Sequence, residues 1–367
     1  MGEQQTALAV DVDKRLNGFR LQAHFAAPAG FTMLLGPSGG GKTTLLNCIA
    51  GLLRPDAGRI AIGARTLFDS AARIDLRPAH RRIGYVFQDL ALFPHLTVAD
   101  NVRYGIAKLP AAERQLRTAA LLESFHVAHL AARKASEISG GERQRTALAR
   151  ALVTDPDALL LDEPLAALDR ATRSKIIDDL RAWNAVRSIP ILFVTHSPEE
   201  AFALGERVVV IEAGRMVAQG MPQEVLAAPR HETVAQVVGF ENVFDAKVTA
   251  LHENQGTMLC RLDGADCELE VPLTRAGLGA PVRVAIRAGD IMVAAERPRG
   301  LSARNTLRGR IGAIRREGVR VILAVDAGVT FEVHLTPSAA DELRLAPGRE
   351  IWLVIKTYSC NLVHPRN

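Results

Sequence analysis

No stretch of this 367-residue sequence approaches the roughly 18–20 continuous apolar residues that span a bilayer. The start, Met1 to Thr6, is polar and lacks the basic-then-apolar order of a secretory signal, so the chain is expected to stay in the cytosol. Cysteine is scarce: Cys48, Cys260, Cys267 and Cys360 show no CxxC pair and no zinc-like spacing. In a reducing compartment they read as structural thiols, which excludes a disulfide or zinc framework. Nor is charge of one sign in large excess. The 45 Lys+Arg against 40 Asp+Glu leave +5, which suits nucleotide phosphates, an anionic membrane surface or a plain basic surface. What remains is ordinary globular composition, 48 % hydrophobic and 23 % charged, in a chain long enough for two or three domains.

Residues 1–235 read as α/β. Short apolar runs suited to buried strands occur at 31–35, 83–87, 158–161, 191–195 and 207–211, most of them separated by helical stretches such as 172–187. Before them Phe19, Leu21, Ala23 and Phe25 alternate with polar or small residues, which predicts an antiparallel edge sheet beside a parallel one. The Ala/Leu/Arg-rich spacing from about 96 to 136 predicts an inserted helical subdomain, placed at about 90–157. After Gly239 the pattern changes to short Val/Ile-rich strands broken by Gly, Asp and Pro.

This second part, 236–367, repeats itself. The order Asn242-Val243-Phe244-Asp245-Ala246-Lys247-Val248 returns as Asn305-Thr306-Leu307-Arg308-Gly309-Arg310-Ile311. Val271-Pro272-Leu273-Thr274 returns as Val333-His334-Leu335-Thr336, and Val284-Ala285-Ile286-Arg287 as Leu353-Val354-Ile355-Lys356. Matches in one order at nearly constant offset argue for two copies of a small β unit, about 241–295 and 302–364, joined at Arg297-Pro298-Arg299-Gly300.

Chemistry is concentrated at Gly36-Pro37-Ser38-Gly39-Gly40-Gly41-Lys42-Thr43, followed by Thr44. This fits GxxxxGK[ST] between a predicted strand and a predicted helix, 42–50. Glycines let the backbone wrap around phosphates, so that N–H groups and the helix start point at negative charge. Lys42 would reach the β- and γ-phosphates of ATP, and the Thr43 hydroxyl would hold Mg2+. Asp162 and Glu163 follow the apolar run 158–161, at the strand end where open parallel sheets place ligands. Asp162 can join the Mg2+ shell, and Glu163 can polarise an attacking water.

With these residues placed, the chain resembles the ABC transporter ATPase family over roughly 5–235. Ser139-Gly140-Gly141-Glu142 is similar to the family signature and is followed by Arg143-Gln144-Arg145. The resemblance implies a P-loop NTPase cassette that works as a homodimer, the signature of one subunit closing over the phosphate loop of the other. It identifies Gln88 with the glutamine that senses Mg2+ and γ-phosphate, and Ala167-Leu168-Asp169 with the loop at the dimer seam. His196 matches the switch histidine on the γ-phosphate. The sequence departs from the pattern at Ile138, where Leu is usual, and at Glu142, where Gln is commonest. The aromatic that stacks on adenine is also missing from 13–17, and Phe19 is open to either that role or core packing.

The tail narrows the resemblance. Ser302-Ala303-Arg304-Asn305 with Leu307-Arg308-Gly309, and later Ile355-Lys356, resembles the oxyanion-binding β domain (Mop or TOBE type) of molybdate-importer ATPases. Gly84-Tyr85-Val86-Phe87-Gln88-Asp89 and Leu92-Phe93-Pro94-His95 resemble the same branch. The resemblance implies an all-β, OB-like barrel holding an oxyanion such as molybdate on Ser302, Arg304 and Lys356. It also implies an integral-membrane permease, docked near Ala91-Leu92-Phe93-Pro94 on the cytoplasmic face of the membrane, and indirectly an outer substrate-binding protein. Three readings stay open beside it: a tail that binds no ligand, an importer for sulfate, a polyamine or a sugar, and a soluble non-transport ABC ATPase. One cassette without coiled-coil arms speaks against the last and against a nucleic-acid partner.

Overall fold

Alternation is the first determinant. In β1 (Leu8–Leu16) and β2 (Phe19–Ala27) the residues along much of each strand are buried and exposed in turn, which suits sheets with one wet face. The two pair antiparallel from Leu8–Ala27 to Leu16–Phe19. The later strands read differently: β8 (Ala158–Asp162) and β9 (Pro190–Val194) are buried at every position, as strands covered on both faces must be. These features come from a computed structural model, which describes residues 7–16, 18–165, 168–226 and 232–363. The polar start and Ala167 lie outside the described residues.

The chain divides into two compact units, Met1–Gln223 and Glu224–Asn367. In the first unit β3 (Gly30–Leu35), β4 (Ala57–Ile62), β5 (Arg65–Asp69), β6 (Ile74–Asp75), β7 (Ile83–Val86), β10 (Arg207–Glu212) and β11 (Arg215–Gly220) complete one sheet. Its order is β6-β5-β4-β1-β2-β11-β10-β3-β9-β8-β7. The run β10-β3-β9-β8-β7 is parallel, and β1, β2, β4 and β5 pair antiparallel beside it. The apolar faces of both regions and of α1 (Lys42–Ala50) share one core. Between β7 and β8 the chain forms α2 (Val98–Arg103), α3 (Ala111–Ser124) and α4 (Gly140–Leu152), packed on one another. Helices α5 (Arg170–Arg187) and α6 (Pro198–Leu204) then flank β9 in sequence. Because β3, β7, β8 and β9 run parallel, the loops after them open at one edge of the sheet.

The unit boundary falls ahead of residue 236, since the helix Glu232–Val237 goes with the second unit. Phe240, just beyond that helix, is buried under the Arg287 guanidinium at 4.9 Å. The first copy of the tail supplies β12 (Asn242–His252), β13 (Thr257–Leu262), β14 (Glu268–Pro272), β15 (Pro281–Ile286) and β16 (Met292–Ala294). The second supplies β17 (Asn305–Glu317), β18 (Arg320–Asp326), β19 (Thr330–Leu335), the short helix Pro337–Glu342, β20 (Glu350–Ile355) and β21 (Asn361–Val363). The copies exchange their last strands: the sheets are β14-β13-β12-β15-β21 and β16-β20-β17-β18-β19. One core draws on both, and the Phe244 and Phe331 rings, one from each copy, lie 4.7 Å apart.

Candidate nucleotide and catalytic site

The loop after β3 turns into α1 through glycines that no other residue could replace. Gly36 has φ 142° and Gly41 φ 105°, conformations that strain an L side chain. A Cβ on Gly36 would overlap the Ile211 carbonyl, and one on Gly41 would sit 2.7 Å from the Phe19 ring. Phe19 itself packs partly buried on the core, so its ring backs the loop. Pro37, Ser38, Gly39 and Gly40 complete the turn, which Gly40 N–H closes onto Pro37 O at 3.1 Å. Thr43 and Thr44 lie in the first turn of α1. Lys42 Nζ donates to Gly36 O at 2.8 Å and Pro37 O at 2.9 Å. Burial holds the ammonium below its usual range, with Glu163 and Asp162 pulling it back up.

Asp162 is 3 % exposed at the end of β8. Burial raises its carboxyl above the usual range, opposed first by a hydrogen bond from the Thr43 side chain. Thr43 and Asp162, far apart in sequence, therefore meet as two oxygen donors. Glu163 follows at φ 48°, a left-handed conformation that turns its side chain out of the strand direction. Its Oε1 lies 2.6 Å from His196 Nε2, and its Oε2 accepts from Gln88 Nε2 at 3.4 Å. Gln88, Glu163 and His196, which follow β7, β8 and β9, thus converge on one carboxylate. The loop carrying His196 is braced by buried Glu200, whose carboxylate accepts from Thr195 Oγ1 at 2.5 Å.

The signature residues lie on a different element. Ser139 caps α4 and forms a reciprocal box with Glu142: Ser139 N–H donates to Glu142 Oε2 at 2.7 Å, and Glu142 N–H donates to Ser139 Oγ at 3.4 Å. Those bonds hold the Glu142 carboxyl below its usual range, and they account for Glu at this position. Gly140 is exposed, with nothing within 4 Å of where a Cβ would stand; Gly141 faces Thr172. Gly140 shares a cleft of about 570 Å3 with Gln88, Gln144, Glu163 and Leu168, and none of residues 36–44 lines it. Asp169 caps α5, accepting from Ala171 and Thr172 N–H at 3.0 Å each.

Two arginines escaped the sequence reading. Arg150, on α4, donates to Leu90 O and Ala91 O at 2.6 Å each, tying the segment after Gln88 to the signature helix. Leu90 and Ala91 both have positive φ, 62° and 44°. Phe93 is half-buried: its ring meets Tyr104 at 4.7 Å, tilted by 46°, and lies under Arg150 at 5.9 Å, while Ala91, Pro94 and Tyr104 are exposed. Arg81 is fully buried and donates to Cys48 O and Ile49 O at the end of α1, where a cation meets the negative end of the helix. The four cysteines are buried and free, and burial pushes Cys48 and Cys260 up to about 11, so they hold little thiolate.

In the second unit, the β17–β20 register ends at Asn305–Ile355, and Arg304 and Lys356 are the residues that adjoin this last pair. Both are exposed, as is Ser302.

The family described as ABC transporter matches residues 24–166, and the TOBE domain matches 301–362. The molybdenum import ATP-binding protein of Mesorhizobium japonicum is 41 % identical, covering 96 % of this chain and 95 % of the relative. That of Rhodospirillum rubrum is 39 % identical, covering 96 % of each. Among solved structures, a dimeric ATP-binding cassette in a post-hydrolysis state with ADP and Pi matches at TM-score 0.52 and 28 % identity, over 59 % of this chain and 98 % of that one. Likeness at this level runs through both units and not the cassette alone, so the chain is an ABC transporter ATP-binding subunit and belongs to the family of molybdenum import ATP-binding proteins.

Proposed function

We propose that this chain is the ATPase of an importer for molybdate or tungstate, hydrolysing ATP as a dimer and driving a separate membrane permease. The observation that carries the catalytic half is the Glu163 carboxylate, bonded at once to His196 and Gln88. The relatives' names and the match of the tail to TOBE support the cargo.

Residues 36–44 cradle the phosphates through backbone N–H groups, with Lys42 as the cation on the β- and γ-phosphates. Thr43 and Asp162 are hard oxygen donors already in contact, a set that fits Mg2+ with Gln88 as the third candidate. When bound, Mg2+ neutralises charge developing on the β- and γ-phosphate oxygens. Glu163 orients a water and takes its proton, while His196 and Gln88 hold Glu163 and reach the γ-phosphate. Ser139, Gly140 and Gly141 offer exposed helix-start N–H groups to the γ-phosphate bound by a partner subunit, with Asp169 at the seam. Two chains would then form two sites, each with Lys42 from one and Gly140 from the other.

Among the described residues no helix is long and apolar enough to cross a membrane. As the ATPase partner of a permease, the chain would sit at the cytoplasmic face, with the permease seated by the exposed part of 91–94 and the outer substrate-binding protein reached through it. In the tail, Arg304 and Lys356 bring like charges to one end of the β17–β20 pair, with Ser302 nearby in sequence, and an oxyanion between them relieves that repulsion. Radiolabelled molybdate uptake tests the cargo. A strain lacking the gene should lose uptake and regain it with the wild-type gene but not with Glu163→Gln; undiminished uptake without the gene sinks the molybdate reading.

A further inference from the structure

The tail's two copies share a backbone plan but carry opposite charge at one place. Register pairs Asn242 with Ile286 in the first copy and Asn305 with Ile355 in the second. The next residues along the chain, just outside the paired strands, are Glu241 and Arg287 in the first copy and Arg304 and Lys356 in the second. Each pair leads into a short turn, Ala288–Asp290 or Thr357–Ser359. Each turn packs on a strand of the other copy, the first on β19 and the second on β14.

Matched hydrogen bonds fix this equivalence. Asn242 Nδ2 donates to Glu332 O at 2.8 Å while its Oδ1 accepts from Glu332 N–H at 2.7 Å. Asn305 makes the same two bonds to Glu270, at 2.9 and 2.6 Å. The joints therefore differ in side chains and not in construction.

At the first joint the chain supplies its own anion. Glu241 Oε2 accepts from Ala288 N–H at 2.8 Å, and Oε1 lies 4.0 Å from His334 Nδ1. At the second joint Arg304 replaces Glu241 and Lys356 replaces Arg287, while Thr357 stands where Ala288 does. The Thr357 hydroxyl is spent on Glu270 Oε1 at 2.9 Å. Among the described residues no carboxylate pairs with Arg304 or Lys356, whereas the first joint holds the Glu241 carboxylate on Ala288 N–H.

We propose that Glu241 is a built-in anion, its carboxylate filling in the first copy the place that an oxyanion takes in the second. Carboxylates and tetrahedral oxyanions present the same acceptor oxygens to N–H groups and cations. A tethered carboxylate also competes at high effective concentration against a free ion. Each tail therefore takes up one oxyanion, at the Arg304–Lys356 joint, and Glu241 decides which joint it is. This inference rests on the reading of the tail as an oxyanion site.

The test counts molybdate bound to the full-length protein by equilibrium dialysis with radiolabelled molybdate. The nucleotide site is filled with Mg2+ and a non-hydrolysable ATP analogue, so that molybdate cannot take a phosphate's place. Wild type should bind one per chain, Arg304→Glu none, and Glu241→Arg two; Glu241→Ala, a milder change that guards against misfolding, should add a weaker second. The proposal is overturned if wild type binds two, if both Glu241 variants stay at one, or if Arg287→Glu rather than Arg304→Glu abolishes the wild-type site. No binding by wild type or either Glu241 variant refutes the tail reading itself, and this inference with it.

Discussion

Replacing Glu163 by Gln keeps the side chain's shape and removes its charge, at the carboxylate that meets His196 at 2.6 Å and Gln88 at 3.4 Å. The fold should tolerate the change. An amide adopts the φ of 48° found there as readily as a carboxylate does. Nucleotide binding should also survive, because the lost charge lies beside Asp162, whose carboxyl Glu163 helps to push up. What disappears is the acceptor for the water's proton. A positioned general base is worth about 10²- to 10⁴-fold, or about 3–5 kcal/mol of barrier. Phosphate release by the purified protein should therefore fall by at least about a hundredfold, while binding of a fluorescent ATP analogue stays at wild-type strength. Because His196 shares the same carboxylate, Glu163→Gln combined with His196→Ala should cost scarcely more than the worse single change. Turnover within about threefold of wild type would refute the general-base assignment, and full additivity in the double variant would refute the shared contact.

Arg150→Met deprives Leu90 O and Ala91 O of their 2.6 Å donors. It should cost about 2 kcal/mol, read as a lower urea midpoint from Trp183 fluorescence, and Arg150→Lys should restore little because an ammonium lacks the fork. Asn305→Ala leaves Glu270 N–H and C=O without their partners. We expect a loss of about 2 kcal/mol in the second unit, followed through Trp352, with Asn242→Ala matching it. For Glu200, burial raises the carboxyl above its usual range, against the Thr195 hydroxyl and Arg173. A raised folded value means its contribution is complete below the ordinary carboxylate range and is lost as pH rises through the raised value. Glu200→Gln should therefore raise the melting temperature near neutral pH, and that advantage should vanish as pH falls toward about 4.

The site was legible where chemistry depends on residues close in sequence. The loop 36–44 needs its glycines and Lys42 at fixed spacing, so the pattern and its strand–helix setting sufficed. Gln88, Glu163 and His196 are each unremarkable alone. Their meeting follows from β7, β8 and β9 being parallel neighbours, which the sequence indicated only through a family resemblance. Glu142 looked like a departure, yet Ser139 with Glu142 three residues on is a capping pattern that local reasoning could have recognised. Arg150 offered no such signal. It is one arginine among several on α4, and its partners are main-chain carbonyls exposed by the positive φ of Leu90 and Ala91, a conformation that neither residue type announces.

The tail separates these two kinds of information most sharply. Side-chain pattern revealed the duplication, because equivalent strands bury equivalent faces. It could not reveal the exchange, because β16 and β21 are three residues each, Met292–Ala294 and Asn361–Val363, too short to carry a pattern of their own. Their partners are decided by the turns before them, which lay the chain onto the other copy: Ala288–Asp290 onto β19 and Thr357–Ser359 onto β14. The exchanged strands cover the edges of β15 and β20, and Asn242 and Asn305 each bond the backbone of the other copy. Each copy thus finishes the other's sheet and satisfies the other's buried amide. The duplicated tail is for that reason one folding unit and not two, which allows a single charge difference, Glu241 against Arg304, to give its two halves different chemistry on the same frame.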